Sequence, residues 1–223
     1  MIKAVIFDLD GTLIDAFDGH AESYNLALVE LGHRPLSHKD FAKYYGQTGI
    51  EISRQLLKKP SIDDDVEKLT ALKHKFYEKM GGGHIRALPG ATDLIDALIK
   101  REVPMAIASS AAKGAIVVAL KQIGAGDKIK AIVSANDIEN SKPHPEIFLK
   151  AAKILKTAPI DCVVFEDSPW GVMAAKAAGM KCIAVTTGTT SKSDLKKLEP
   201  DMVLDSLEEI LPPKLDSVLI SIG

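Results

Sequence analysis

Ala4-Val5-Ile6-Phe7 is apolar at every position, whereas a strand with one wet face would alternate. The run predicts a central parallel strand covered on both sides. Five later runs follow the pattern: Met105-Ala108, Ala131-Ser134, Cys162-Phe165, Cys182-Val185 and Met202-Leu204. Helical spacing falls among them over Ala91-Lys100, Gly114-Ile123, Pro145-Leu155, Gly171-Ala178 and Asp194-Leu198, with Gly124 and Gly179 placed as C-terminal stops. Alternation of this kind gives an α/β fold, a parallel sheet joined by right-handed crossovers.

Between Asp15 and Arg86 the pattern changes. No strand-like run occurs, and the apolar residues recur at helical spacing, as in Tyr24, Leu28 and Leu31 or Leu69, Leu72, Phe76 and Met80. The expected organisation is a core made of residues 1–14 and 87–223 and an inserted α-helical cap domain of residues 15–86. Gly81-Gly82-Gly83 would close the insert with a hinge. After Pro212-Pro213 an apolar tail, Val218-Leu219-Ile220, is read as an edge strand or a packing arm.

Composition narrows the classes. The 223 residues are 46% apolar and 26% charged with a net charge of −2, ordinary globular usage. Charges of both signs are scattered, so there is no basic footprint for nucleic acid and no polybasic membrane patch. The expected partner is a small molecule, and the expected state a monomer or weak homo-oligomer. Cys162 and Cys182, the only cysteines, lie in apolar runs and read as buried inert thiols. The start of the chain passes directly into the first strand without a long apolar segment. A cytoplasmic protein without a membrane span is therefore expected.

The chemistry begins where the first strand ends, in Asp8-Leu9-Asp10-Gly11-Thr12. Two carboxylates there repel each other unless a cation lies beside them, and oxygen ligands of this kind suit Mg²⁺. Ser109-Ser110 follows the second strand run, Lys142 lies in Asn140-Ser141-Lys142-Pro143-His144-Pro145, and Glu166-Asp167 follows the Cys162 run. A parallel sheet sets all its carboxyl ends on one rim, so these groups would converge.

Together the DLDGT stretch at Asp8 to Thr12, Ser109, the SKPHPEIF stretch around Lys142 and FEDSPWG at Phe165 to Gly171 resemble the haloacid dehalogenase superfamily. The branch is the β-phosphoglucomutase-like one, with a Rossmann-like core and an α-helical cap. The resemblance implies that Asp8 is the nucleophile and forms an aspartyl phosphate. Asp10 would protonate the leaving oxygen and then activate water, Ser109 would donate to the transferring phosphoryl group, and Lys142 would supply fixed positive charge. Mg²⁺ would be held by Asp8, the Asp10 carbonyl and Asp167, with Glu166 binding directly or through water. The backbone N–H groups of Leu9 and Asp10 would complete an anion cradle.

In the insert, the resemblance places His20 beside the active site and projects the loop from Gly46 to Gly49 toward the substrate. Lys73 corresponds to a cap lysine of that branch, although Lys68, Lys75 and Lys79 make a solvated lysine face the plainer reading. Ser110 joins His20, Gly46 and Lys73 as a candidate substrate contact. One departure matters: Gly49 stands where β-phosphoglucomutases carry an arginine that grips a second phosphate. Hydrolysis of a small phosphomonoester, of the sugar or polyol phosphate class, is therefore the leading expectation. A sugar-phosphate mutase and a non-catalytic binder of phosphorylated ligands are the alternatives.

Overall fold

The computed structural model describes residues 2–81, 85–129 and 131–223. Its strands are β1 (Ala4–Phe7), β2 (Ile14–Asp15), β3 (Arg86–Ala87), β4 (Met105–Ala108), β5 (Ala131–Val133), β6 (Cys162–Glu166), β7 (Lys181–Val185) and β8 (Met202–Leu204). Helices α1 (Phe17–Glu30), α2 (His38–Phe41), α3 (Gly49–Leu56) and α4 (Asp64–Lys79) precede β3. After it come α5 (Ala91–Ile99), α6 (Lys113–Gln122), α7 (Glu146–Ile154), α8 (Pro169–Ala177), α9 (Lys192–Lys197) and α10 (Lys214–Ser221).

Six strands form one parallel sheet in the order β5-β4-β1-β6-β7-β8. The unbroken apolar runs are explained by its two covered faces. Ala4 and Ile6 pack on one side with Ile147 and Phe148 of α7 and Val172 of α8. Val5 and Phe7 pack on the other with Leu94 of α5 and Ile116 of α6. Phe7 meets Phe165 of the neighbouring strand with ring centroids 5.1 Å apart. Burial of such side chains contributes about 1.5 to 3 kcal/mol each, so the centre of the sheet is also its most firmly held part. Cys162 and Cys182 are free and buried.

The insert has its own apolar clusters, one around Tyr24, Phe41, Tyr45 and Ile52 and another around Ala27, Leu28 and Leu69. It is not purely helical at its root. β2 and β3 pair antiparallel, Ile14 with Ala87 and Asp15 with Arg86, because the two connections must run side by side. Gly81 adopts a φ of +66°; Gly82 and Gly83, the rest of the expected hinge, lie outside the described residues.

The tail corrects the edge-strand reading. Residues Lys214–Ser221 form α10, whose Leu215 and Leu219 join the core beside Ile222 while Ile220 is 61% exposed. The buried positions recur every three or four residues, a helical period that the consecutive apolar residues disguised.

Candidate active site

The central strands bring the predicted rim together. Pairing sets Phe7 beside both Phe165 and Ile107, so Asp8 emerges between the ends of β4 and β6. Its backbone N–H donates to the Phe165 carbonyl at 2.9 Å. Lys142 arrives from the connection between β5 and α7 and is buried. Its Nζ donates to Asp8 Oδ1 at 2.6 Å, to Glu166 Oε1 at 2.6 Å and to the Ala108 carbonyl at 3.2 Å. The three acceptors account for all three ammonium hydrogens.

Glu166 is fully used within the protein. Its Oε2 accepts from the backbone N–H groups of Asp167 and Ser168 and from Ser168 Oγ. Ser168 also caps α8 by accepting from the Gly171 N–H, so this stretch starts a helix and furnishes the rim at once. Burial pushes the Asp8 carboxyl up to about 8; the Lys142 charge opposes this, and those of Glu166 and Asp10 add to it. Burial, then Glu166 and Asp8, hold Asp167 well above the usual carboxylate range. A cation placed beside these two buried acids would favour their charged forms.

Asp8, Glu166 and Asp167 present oxygens within 4.8 Å of one another, an all-oxygen set that fits Mg²⁺. Asp167 also has space made for it. An added Cβ at Gly11, whose φ is +88°, would stand 2.3 Å from Asp167 Oδ2, and one at Gly188 would stand 1.8 Å from it. Thr12 Oγ1 donates to Asp167 Oδ1 at 3.3 Å. No acceptor among the described residues engages the N–H groups of Leu9 and Asp10. Ser109 is buried; its Oγ accepts from the Ala111 N–H at 3.1 Å, which leaves its hydroxyl hydrogen to donate.

A cavity of about 400 Å³ separates this rim from the insert, lined by Asp8, Asp10, Ser109 and Ser110 on one side and by His20, Tyr45, Gly46 and Lys73 on the other. His20 Nε2 lies 3.3 Å from Asp10 Oδ1, its Nδ1 lies 2.9 Å from Lys73 Nζ, and its ring stacks on Tyr77 with centroids 4.3 Å apart. Burial, then the Lys73 charge, lowers the His20 pKa. Burial also lowers Lys73 to about 8, with Asp10 opposing.

Lys73 thus corrects the solvated-face reading. It is 5% exposed, between the rings of Tyr24 and Tyr77, because α4 turns Val66, Leu69, Lys73 and Tyr77 inward together. Gly46 adopts a φ of +90°, and a Cβ there would stand 3.0 Å from Ser168, so this glycine lets the insert approach the core. The space beside Gly49 is taken by the His74 ring, 3.3 Å from an added Cβ. Burial lowers His74 to about 4, reinforced by Lys73 and His20.

Sequence reasoning missed Tyr45, Tyr77 and His74 in the cavity lining and Gly188 beside Asp167. Gly188 carried a usable signal, since it follows β7 at the carboxyl edge of the sheet. Tyr45 carried only its position next to the Gly46 loop.

A parallel sheet with this acidic, lysine-bridged rim defines a class: the model of the haloacid dehalogenase-like hydrolases matches residues 5–185, and the chain belongs to that family. It is similar to hexitol phosphatase A of Escherichia coli (strain K12), 33% identical over 213 residues that cover 95% of this chain and 94% of the relative. It is 35% identical over 215 residues, 94% of this chain, to the chloroplastic protein SUPPRESSOR OF QUENCHING 1 of Arabidopsis thaliana, of which it spans only 20%. Among solved structures, a β-phosphoglucomutase from Clostridium difficile matches with a TM-score of 0.85 at 26% identity, covering 99% of this chain and 98% of the other. No helix among the described residues is long and apolar enough to cross a membrane.

Proposed function

We propose that this protein is a Mg²⁺-dependent phosphatase that hydrolyses a small phosphomonoester, of the sugar or polyol phosphate class, through an aspartyl phosphate on Asp8. The observation that carries the reading is Lys142, whose buried ammonium binds Asp8 and Glu166 together. Asp8 and Asp167 would hold Mg²⁺ with the Asp10 carbonyl, and Glu166, already fully hydrogen-bonded, would act through Lys142. The ion supplies positive charge that offsets repulsion between carboxylate and phosphate.

In this mechanism Asp8 attacks phosphorus with Lys142 fixing one of its oxygens, so the other is the attacking atom. Ser109 donates to a phosphoryl oxygen, and the free N–H groups of Leu9 and Asp10 face the same anion. Asp10, held toward the cavity by His20, protonates the departing oxygen. It then takes a proton from the water that cleaves the aspartyl phosphate. Lys73 fixes His20 from behind, and the insert, residues 15–86, covers the site during transfer. The paired boundary residues Asp15 and Arg86 and the separate apolar clusters support that division.

A sugar-phosphate mutase is the second reading, favoured by the fold match to a β-phosphoglucomutase and by the Lys73 to His20 to Asp10 chain. The His74 ring beside Gly49 argues against it, because no anion clamp stands there. Phosphate release from a panel of sugar, polyol and aryl phosphates, with Mg²⁺ and with chelator, tests the proposal. Metal-dependent release that disappears in Asp8→Asn is expected. Full activity in that variant rejects the mechanism, and isomerisation of β-glucose 1-phosphate without net release selects the mutase.

A further inference from the structure

Asp167 follows β6, the strand between β1 and β7, and the turns after those two neighbours wall it in. An added Cβ at Gly11, after β1, or at Gly188, after β7, would collide with Asp167 Oδ2, so this oxygen sits in a slot between two bare backbone segments. Little else holds it. Among the described residues its carboxylate accepts one hydrogen bond, from Thr12 Oγ1 at a long 3.3 Å, while Lys142 engages Asp8 and Glu166 instead. Asp167 is therefore placed by the width of the slot. Strands β1 and β7 are not paired with each other, so no ladder hydrogen bond sets that width.

One side chain joins the two walls. Thr187 Oγ1 donates across the end of β6 to the Gly11 carbonyl at 2.6 Å, and that carbonyl has no other donor among the described residues. On its far side the same turn is tied to the edge of the sheet: the Thr186 N–H donates to the Leu204 carbonyl at 3.0 Å, and Thr186 Oγ1 to Asp205 Oδ1 at 3.1 Å. Without the Thr187 bond the turn would stay with β8 and the slot could widen. Mg²⁺ demands oxygens at about 2.0 to 2.1 Å in near-octahedral order, whereas Ca²⁺ takes them at about 2.3 to 2.6 Å in flexible geometry. Accepting the larger ion means that ligands move apart, and a carboxylate wedged between clasped backbones has nowhere to move.

We propose that Thr187 is a positioning residue for the cation site: its hydroxyl clasps the two walls around Asp167 and thereby makes the site discriminate against Ca²⁺. This rests on the Mg²⁺-dependent reading and adds to it a residue that is not itself in the ligand set.

The test is calorimetric titration of the full chain with Mg²⁺ and, separately, with Ca²⁺, in wild type, Thr187→Val and Thr187→Ser. Valine keeps the branched shape and removes the donor; serine keeps the donor. Thr187→Val is expected to weaken Mg²⁺ binding about tenfold while Ca²⁺ binding stays within about twofold, so the ratio of the two affinities falls. Thr187→Ser is expected to return the wild-type ratio. Melting temperatures taken in chelator check that each variant folds, and if Thr187→Val does not, Thr187→Ala takes its place with the same expectation. An unchanged ratio overturns the proposal, whether both affinities hold or both fall together, because a merely structural threonine would weaken the two ions alike. A ratio that stays low in Thr187→Ser overturns it too. Wild type that binds Mg²⁺ no better than Ca²⁺ removes this inference alone; wild type that binds no Mg²⁺ removes the metal-dependent reading with it.

Discussion

Glu166 and Lys142 form an ion pair of 2.6 Å in which both side chains are 1% exposed. Such a pair adds little net stability against an apolar replacement, but removing Glu166 leaves the buried Lys142 charge with Asp8 as its one remaining carboxylate among the described residues. Glu166→Gln is therefore expected to lose about 3 kcal/mol in denaturant unfolding and about 10- to 100-fold in kcat, as for partners that orient a catalytic group. Loss of activity at unchanged stability would mean that Glu166 acts directly on substrate or metal instead of through Lys142.

Lys73 gives a pH signature. Its folded value of about 8 lies below that of an unfolded lysine, 10.5, so between these values the unfolded chain binds more protons and stability rises with pH. The groups facing it are His20, the rings of Tyr24 and Tyr77, and the more distant Asp10. Urea unfolding of wild type and Lys73→Met from pH 7.5 to 10 should give a difference that grows with pH in favour of wild type. Parallel curves would show that Lys73 keeps an ordinary pKa.

Gly188 predicts metal affinity. A Cβ there would occupy the position of the Asp167 carboxylate, so Gly188→Ala must displace it. Calorimetric titration with Mg²⁺ is expected to show binding weakened by about 10- to 100-fold. Unaltered binding would remove Asp167 from the ligand set.

The strands of the sheet were readable because both faces are covered, which leaves an apolar run with no alternation to confuse it. Helix α4 shows the limit. Lys68, Lys73, Lys75 and Lys79 look equivalent as a string, but only Lys73 follows Leu69 by four residues and precedes Tyr77 by four, placing it on the inward face. The period contained the answer, and the residue type obscured it. Lys142 is a different case: the prolines that follow it and the SKPHPEIF stretch marked it out, but only the assembled rim shows that its ammonium bridges Asp8 and Glu166. Tyr45 was hard to read because its place in the cavity lining depends on how the insert folds over the rim, and its position next to the Gly46 loop was the only trace in the sequence.

The ribbon of β2 and β3 has a consequence for how such a chain diversifies. Ile14 and Ala87 are paired neighbours, so everything between them leaves and re-enters the sheet domain at one point. Joining the ends of that excursion costs loop-closure entropy that grows only slowly with its length. The excursion can therefore lengthen, shorten or be exchanged wholesale without disturbing the register of the central strands. The phosphoryl chemistry proposed for Asp8 and the contacts that the excursion offers a substrate can then change on separate evolutionary clocks.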